Sequence, residues 1–274
     1  MIDARLTPAR SDLAAASLKG KVKADRYVDG VRYQVKSGVS PLRETPSLSA
    51  RLETELLRGE IFTVYDQVGG WAWGQCERDG YVGYVRNEDF GAEIVAPTHR
   101  VSVLRTILFP SADIKTQPTH FLSMNAKVSV VAVSGRFARL DAGAIASGHL
   151  VPLDHAVEDW VASAELFLHT PYLWGGKDSF GLDCSGLVQT ALETRGIQAP
   201  RDADMQEEAL GERLRGDARL QRGDLVFWDG HVAIVRNPEQ LVHANAWHMM
   251  VAIEPIQAAF ARIGAPRTLK RLGR

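Results

Sequence analysis

The sequence predicts an α+β chain in which two small all-β barrels precede a domain that combines helices with an antiparallel sheet. Three observations support this prediction. In residues 31–95, short runs in which β-branched or aromatic residues alternate with other residues are separated by Gly-rich turns, which is the pattern of short strands. A weaker copy of the same pattern follows in residues 96–152. From residue 153 onward helical spacing comes first and short strands follow, which is the order of an α+β domain.

The composition is that of an ordinary globular protein. Of the 274 residues, 45% are hydrophobic and 24% are charged, and the formal net charge is -1. This balance lacks the basic excess that nucleic-acid-binding proteins usually carry. No apolar run approaches the ~18 residues that a membrane-spanning helix needs. We therefore expect no nucleic-acid partner and no membrane insertion.

The N-terminus and the cysteines favour a cytoplasmic location. The apolar run at residues 13–16 is shorter than the ~7–15-residue core of a secretory signal. The two cysteines, Cys76 and Cys184, are too few and too far apart for a disulfide framework. We interpret residues 1–30, which have no sustained period, as an N-terminal arm.

Two barrels are predicted because the same pattern occurs twice. In residues 31–95 the runs Ile61–Tyr65 and Trp71–Trp73 read as strands joined by a tight turn. Residues 128–133 and Phe137–Leu140 take the corresponding places in residues 96–152, which indicates two diverged copies of one unit.

Residues 153–274 form the predicted third domain. Its first helix is expected to begin near Asp154 and to end before Pro171, with one apolar face of Val157, Trp160, Val161, Ala164, Phe167 and Leu168. A second helix is predicted over Cys184–Arg195, ending at Gly196. Residues 225–228 and 231–235 read as two strands joined by an Asp-Gly turn, and a third strand begins at Leu241.

Cys184 is the first candidate for chemistry. At a helix start its sulfur faces free backbone N–H groups and the positive end of the helix dipole, and both favour the thiolate. His231 opens one strand and His243 lies on the next, so antiparallel pairing brings both imidazoles to one face of the sheet. This is the nucleophile, base and orienting residue of a triad. A cysteine at a helix start is also commonly a small buried hydrophobe, so spacing alone leaves both interpretations open.

Five blocks in the C-terminal part resemble the signature of the NlpC/P60 cysteine peptidases. They are Tyr172-Leu173-Trp174-Gly175-Gly176, Gly181–Val188, Pro200-Arg201-Asp202 with Gln206, Gly223–Trp228, and Gly230–Val235 with Val242-His243-Ala244. The two predicted barrels in residues 31–95 and 96–152 resemble bacterial SH3-like domains. Together they are similar to the dipeptidyl-peptidase VI group, γ-D-glutamyl-L-diamino-acid endopeptidases of cell-wall peptides. The resemblance implies a papain-like catalytic domain behind two SH3-like barrels.

The resemblance also implies a role for each matching side chain. Cys184 would attack the substrate carbonyl, His231 would serve as general base and then acid, and His243 would complete the triad. Asp183 would bind the free ammonium of an N-terminal L-Ala. The other expected substrate contacts are Trp174, Tyr172, Ser185, Asp202 and Tyr81. The sequence has no His-Glu-x-x-His motif, and we expect neither a metal nor a cofactor.

The position of Asp183 predicts a link between substrate binding and thiol activation. A carboxylate next to Cys184 should raise the pKa of the thiol. The ammonium of a bound substrate would neutralise that carboxylate and so favour the thiolate.

The predicted function is hydrolysis of the γ-D-glutamyl–L-diamino acid bond of short murein peptides, in peptide recycling, through a thioester on Cys184. Two alternatives stay open. One is a cell-wall- or partner-binding protein whose SH3-like pair is the working surface. The other is a papain-like domain that acts as an amidase or acyltransferase, or that is inactive. Ala203 stands where better-known relatives have serine, which leaves the peptide preference open, together with the diamino acid and the oligomeric state.

Overall fold

A computed structural model describes residues 2–91, 93–216 and 218–273. The chain divides after Leu153 into two compact units. Within the described residues the N-terminal unit is built from strands, and the α-helices lie in the C-terminal unit together with a six-stranded sheet. The predicted α+β class is confirmed. In these described ranges, no helix combines the length and the apolar character that crossing a membrane requires.

The N-terminal unit begins with a parallel pair and continues into a seven-stranded sheet. The pair is β1 (Leu13–Ala15) and β2 (Arg26–Val28). The sheet contains β3 (Val31–Val35), β4 (Val39–Arg43), β5 (Leu52–Leu57), β6 (Ile61–Val68), β7 (Trp71–Cys76), β8 (Val82–Arg86) and β9 (Phe90–Gly91), in the spatial order β5-β4-β8-β7-β6-β3-β9. Phe62, Cys76 and Tyr81 are buried together in its core.

Three smaller sheets complete the N-terminal unit. Their strands are β10 (His99–Val101), β11 (Arg105–Leu108), β12 (His120–Ser123), β13 (Lys127–Val128), β14 (Ala132–Ser134), β15 (Phe137–Leu140), β16 (Gly143–Ala146) and β17 (Leu150–Pro152). They pair as β13-β10-β17, β11-β12 and β14-β15-β16 around a second apolar core that includes Leu108, Leu122 and Ile145. The boundaries predicted at residues 30 and 95 stay predictions.

The C-terminal unit is one antiparallel sheet with four α-helices among its described residues. The strands are β18 (Glu212–Arg213), β19 (Leu225–Trp228), β20 (His231–Asn237), β21 (Gln240–Asn245), β22 (Met250–Pro255) and β23 (Thr268–Arg271), in the order β18-β23-β19-β20-β21-β22. The helices are α1 (Trp160–Glu165), α2 (Cys184–Glu193), α3 (Ala203–Ala209) and α4 (Ile256–Ile263). The predicted turn between β19 and β20 contains Gly230 at φ 67°, a conformation that favours glycine.

Helix α1 is shorter than the sequence pattern predicts. The carboxylate of Asp159 accepts hydrogen bonds from the backbone N–H groups of Val161 and Ala162, so the helix begins there and not near Asp154. At the other end the chain leaves the helix before His169, which has φ 68°, and Pro171 follows. The apolar spacing was nevertheless informative, because Trp160, Val161, Ala164 and Phe167 are all buried.

Helix α2 lies where the sequence predicts it and carries Cys184 at its first position. Leu187, Val188, Ala191 and Leu192 are buried, at most 1% exposed. The helix packs its first turn tightly against the preceding loop, since a Cβ added to Gly186 would lie 2.3 Å from the carbonyl oxygen of Gly176. A larger residue at Gly186 would meet this carbonyl and push the helix start, and with it the sulfur, away from this place.

Candidate active site

The sulfur of Cys184 lies at the start of α2, facing the first residues of β20. The residue is 6% exposed. The backbone N–H groups of Ser185, in the same helical turn, and of Val232, on β20, are close enough to the sulfur to favour its thiolate form, which lowers the pKa against the larger effect of burial. Because Val232 directly follows His231, the thiol is held next to the predicted base.

The sheet register places the two histidines and a glutamate on one face. Side chains two residues apart on a strand share a face, and directly paired residues share it as well. Leu241 pairs with Val235 on β20 and with Glu254 on β22. His231, four residues before Val235, and His243, two residues after Leu241, therefore lie on the same face as Glu254.

These side chains form a continuous chain of hydrogen bonds. Nε2 of His231 lies 3.0 Å from Nδ1 of His243. Nε2 of His243 lies 3.0 Å from Oε2 of Glu254. Arg262, on α4, donates to the same carboxylate from Nη2 at 2.6 Å and from Nε at 3.2 Å. The structure thus extends the predicted pair His231–His243 by two residues that the sequence analysis did not select.

Asp183 is the N-cap of α2 and forms a buried ion pair with Arg201. Its carboxylate accepts from both Arg201 Nη atoms, at 2.9 and 2.8 Å, and the Arg201 side chain is 0% exposed. It also accepts from the backbone N–H groups of Gly175 and Gly186 and from the Ser185 hydroxyl. Five donors therefore occupy a group with about four lone-pair positions. Arg201 supplies a charge that balances Asp183 within the protein. The predicted link between amine binding and thiol activation stays a prediction.

Burial sets the protonation states of the reacting pair. It raises the pKa of the Cys184 thiol to about 12, with a contribution from the Asp183 charge that Arg201 opposes. It lowers the pKa of His231 to about 3 and that of His243 to about 4. All three pKa shifts have the same cause, because burial disfavours the charged form of each group. The resting site therefore contains a thiol and neutral imidazoles, so the proton must leave Cys184 as the sulfur attacks.

These protonation states predict an unusual pH dependence. A base with a lowered pKa stays unprotonated as the solution becomes more acidic, so kcat/KM should be nearly constant between about pH 7 and pH 5, through the range where a typical histidine titrates. Over the same range the ultraviolet absorbance of a Cys184 thiolate should be absent. A pH–rate profile and a spectroscopic titration, each with Cys184→Ala as the blank, measure the two quantities. An acid limb near pH 6.5 together with thiolate absorbance would contradict this assignment.

Tyr172 lies beside the nucleophile. Burial and the nearby charges of Cys184 and Asp183 raise the pKa of its hydroxyl above the ordinary tyrosine value, so the group stays protonated and able to donate a hydrogen bond. Ser185 is buried and links Asp183 to Arg201 through its hydroxyl. These positions are compatible with the predicted contacts, which stay predictions.

The other predicted substrate residues are Trp174, Asp202 and Tyr81. Trp174 is 61% exposed on the loop before α2, and Asp202 is the half-buried residue that precedes α3. Tyr81 belongs to the N-terminal unit, where it is 3% exposed and its hydroxyl donates to Glu53 at 3.4 Å. The roles predicted for these three residues stay predictions.

Three side chains offer the spacing that a metal ion would need. Nitrogen or oxygen atoms of His243, His248 and Glu254 lie within 4.8 Å of one another. Glu254, however, already accepts hydrogen bonds from His243 and Arg262, and the Arg262 cation balances its charge. His248 pairs with Asn245. We therefore treat this group as a hydrogen-bonded cluster.

Comparison with known families gives the same assignment as the site geometry. Residues 169–262 match the NlpC/P60 family. This match lies within the C-terminal unit of the chain. Residues 42–90 match a family described as the bacterial dipeptidyl-peptidase SH3 domain. The predicted combination of an NlpC/P60 domain with an upstream SH3-like region is confirmed.

Curated proteins that are similar to this chain are named as peptidases. The chain is 27% identical over 239 residues to a γ-D-glutamyl-L-lysine dipeptidyl-peptidase of Bacillus cereus, covering 75% of this chain and 71% of the relative. It is 41% identical over 93 residues to dipeptidyl-peptidase 6 of Lysinibacillus sphaericus, and this match covers only 34% of each protein. The prediction that this chain is a peptidase is confirmed.

A solved structure shares the fold. An NlpC/P60 family protein from Bacillus cereus superimposes with a TM-score of 0.76 at 20% sequence identity, covering 88% of this chain and 99% of the other. At this identity the similarity concerns the fold alone.

Proposed function

We propose that this NlpC/P60 peptidase hydrolyses the bond between the γ-carboxyl of D-Glu and an L-diamino acid in short murein peptides that carry a free N-terminal L-Ala. The observation that carries the proposal is the buried thiol of Cys184 beside the His231–His243 hydrogen bond. The printed names of the relatives support the choice of bond. A cytoplasmic role in recycling released wall peptides is part of the same proposal.

The first half of the reaction forms a thioester. Nδ1 of His231 takes the proton of the thiol, because Nε2 of the same ring is engaged with His243. The sulfur of Cys184 attacks the γ-carbonyl carbon of D-Glu and gives a tetrahedral oxyanion. As the oxyanion collapses, the C–N bond breaks and His231 passes its proton to the leaving amine of the diamino acid.

The second half regenerates the enzyme. A water molecule gives a proton to Nδ1 of His231 and attacks the thioester carbon. The C–S bond then breaks, His231 returns its proton to the sulfur, and L-Ala-D-Glu leaves as the free acid. The histidine is neutral at the start and at the end of each half, which agrees with the lowered pKa of its ring.

Two groups are the proposed donors to the oxyanion. The backbone N–H of Cys184 lies in the first turn of α2, where N–H groups have no partner within the helix. The Tyr172 hydroxyl stays protonated because burial raises its pKa. Donors of this kind act on charge that develops only in the transition state.

The experiment that tests the proposed function is product analysis by mass spectrometry. The protein is incubated with L-Ala-γ-D-Glu-meso-diaminopimelate, with the L-lysine analogue, and with the N-acetylated form of each. We expect release of L-Ala-D-Glu and the free diamino acid from the unmodified peptides, and little or no cleavage of the acetylated ones. If none of the four peptides is cleaved, the substrate class is wrong and a different acyl donor or a binding function gains support.

The same peptides test the amine-binding role predicted for Asp183. In the variant Asp183→Asn, loss of the preference for free over acetylated peptide would support an amine anchor. An unchanged preference, with lower activity on both peptides, would restrict Asp183 to its observed contacts with Arg201 and the helix start.

A further inference from the structure

The hydrogen bonds from His231 through His243 lead to Glu254, a group that can only accept hydrogen bonds. Glu254 is 7% exposed and lies on β22 between His243 and Arg262. Arg262 holds the pKa of this carboxyl below its usual value, so the group is ionised. An ionised carboxylate accepts hydrogen bonds and cannot donate one. Its partner nitrogen in the 3.0 Å contact, Nε2 of His243, must therefore carry a hydrogen.

This constraint passes from one ring to the next. A neutral imidazole carries one hydrogen, so Nδ1 of His243 has only a lone pair and must accept the 3.0 Å hydrogen bond from His231. The hydrogen of His231 is then on Nε2. The lone pair of His231 is left on Nδ1, the nitrogen that must take the proton of Cys184.

We propose that Glu254 is a positioning residue that, through His243, fixes the tautomer in which His231 can act as a base. The proposal rests on the roles proposed above for Cys184 and His231. Without the carboxylate, His243 can carry its hydrogen on Nδ1 and donate to His231. His231 would then hold its own hydrogen on Nδ1, facing the sulfur, and could not take a proton. A histidine held in the wrong tautomer is a poor general base even when its position is unchanged.

Arg262 has a different place in the same cluster. It holds the Glu254 carboxylate through two hydrogen bonds, and its charge adds to the lowering of the pKa of both histidines by burial. The other charged or titratable groups acting on this pair are Asp183 on His231 and His248 on His243. Removing Arg262 leaves the carboxylate acceptor in place. The tautomers should therefore survive that change, while the pKa of both rings rises.

The test compares three variants that each remove one charged side chain of the C-terminal unit. Glu254→Met removes the acceptor with little change in length. Arg262→Met removes the cation and keeps the acceptor. Glu165→Met is the matched control, because Glu165 also bridges two arginines, Arg222 and Arg236, away from the histidines. A fourth variant, Glu254→Gln, retains a carbonyl oxygen that can accept from His243 and serves as the conservative rescue.

The primary measurement is the nitrogen NMR spectrum of the imidazole rings in the full chain without substrate. Hydrogen on Nε2 of both His231 and His243 is expected in the unmodified protein, in Arg262→Met and in Glu165→Met, and is expected to be lost in Glu254→Met. Hydrogen on Nδ1 of either ring in the unmodified protein overturns the proposal. So does an unchanged tautomer in a folded Glu254→Met protein.

Kinetics give the second measurement. Glu254→Met should lower kcat/KM by about 100-fold or more, and Glu254→Gln should recover much of this loss, because the tautomer in which His231 acts as a base is lost in the first variant and kept in the second. Arg262→Met should move the acid limb to higher pH. Equal losses in Glu254→Met and Glu165→Met would indicate a stability effect and overturn the proposal. The NMR result needs no substrate, so failure of the proposed peptide chemistry is distinguishable from failure of the positioning role.

Discussion

Replacement of Cys184 by alanine is expected to abolish peptide cleavage while leaving the protein folded. The sulfur is the only atom removed, and no other side chain among the described residues of the site combines a nucleophilic atom with the adjacent base His231. Removing the nucleophile of a hydrolytic triad typically costs about 10⁴-fold or more in kcat. Steady-state kinetics with the unmodified peptide, on protein whose thermal unfolding has been checked, measures the loss.

The chain provides a matched control for this variant. Cys76 is also a buried thiol, 3% exposed, but it lies in the apolar core of the N-terminal sheet. Cys76→Ala should lower stability by about 1 kcal/mol, through the loss of buried volume, and leave cleavage close to that of the unmodified protein. Residual turnover in Cys184→Ala above one per cent of the original value would be inconsistent with a thioester mechanism on this residue.

Breaking the buried ion pair between Arg201 and Asp183 should have the largest effect on stability. The Arg201 side chain is fully buried and donates to both carboxylate oxygens of Asp183. Arg201→Met leaves a carboxylate in the protein interior without its balancing charge. Loss of one partner of such a pair costs about 3–5 kcal/mol in the free energy of unfolding. The uncompensated charge of Asp183 should also raise the pKa of the adjacent thiol further, so activity should fall in the protein that remains folded.

Denaturant unfolding of a small set of variants tests the ion pair. Arg222→Met removes a partly exposed arginine that pairs with Asp159 and Glu165, and exposed pairs contribute about 0–1 kcal/mol. The double variant Asp183→Asn with Arg201→Met removes both buried charges and should recover part of the stability that Arg201→Met loses. If Arg201→Met and Arg222→Met lose similar stability, the assigned weight of the buried pair is incorrect.

Much of the fold could be predicted because its signals are local. The apolar spacing of α2 and its Gly196 stop gave that helix almost to the residue, and the Asp229-Gly230 turn gave the β19–β20 hairpin. The predicted start of α1 was wrong because Asp159 is the residue that caps the helix. Asp154 is also an aspartate, so the sequence does not show which of the two is the cap. The charged residues 201–224 gave no clear signal for a helix or a strand, and the structure has the short helix α3 and the strand β18 there.

Only the site residues that belong to a recognisable sequence motif could be predicted. Cys184, His231 and His243 stood out because they occupy matching positions in the blocks that resemble the NlpC/P60 signature, whereas their spacing alone left a structural cysteine open. Arg201 lay within a quoted motif but was given no role, since nothing in the sequence shows that it is buried against Asp183. Glu254 was missed, although a single carboxylate after the apolar run Val251-Ala252-Ile253 is a signal of a partner on the neighbouring strand. Arg262 reaches it only through the packing of α4, a tertiary contact.

The measurement that tests the central claim most directly is the intact mass of the protein during turnover. Acid quenching of the protein mixed with L-Ala-γ-D-Glu-meso-diaminopimelate, followed by proteolysis and mass spectrometry, identifies any covalent intermediate and its position. The proposed mechanism predicts an L-Ala-γ-D-Glu acyl group on Cys184, absent from Cys76 and from the Cys184→Ala variant. An acyl group on another residue, or continued cleavage by Cys184→Ala with no adduct at all, would contradict it.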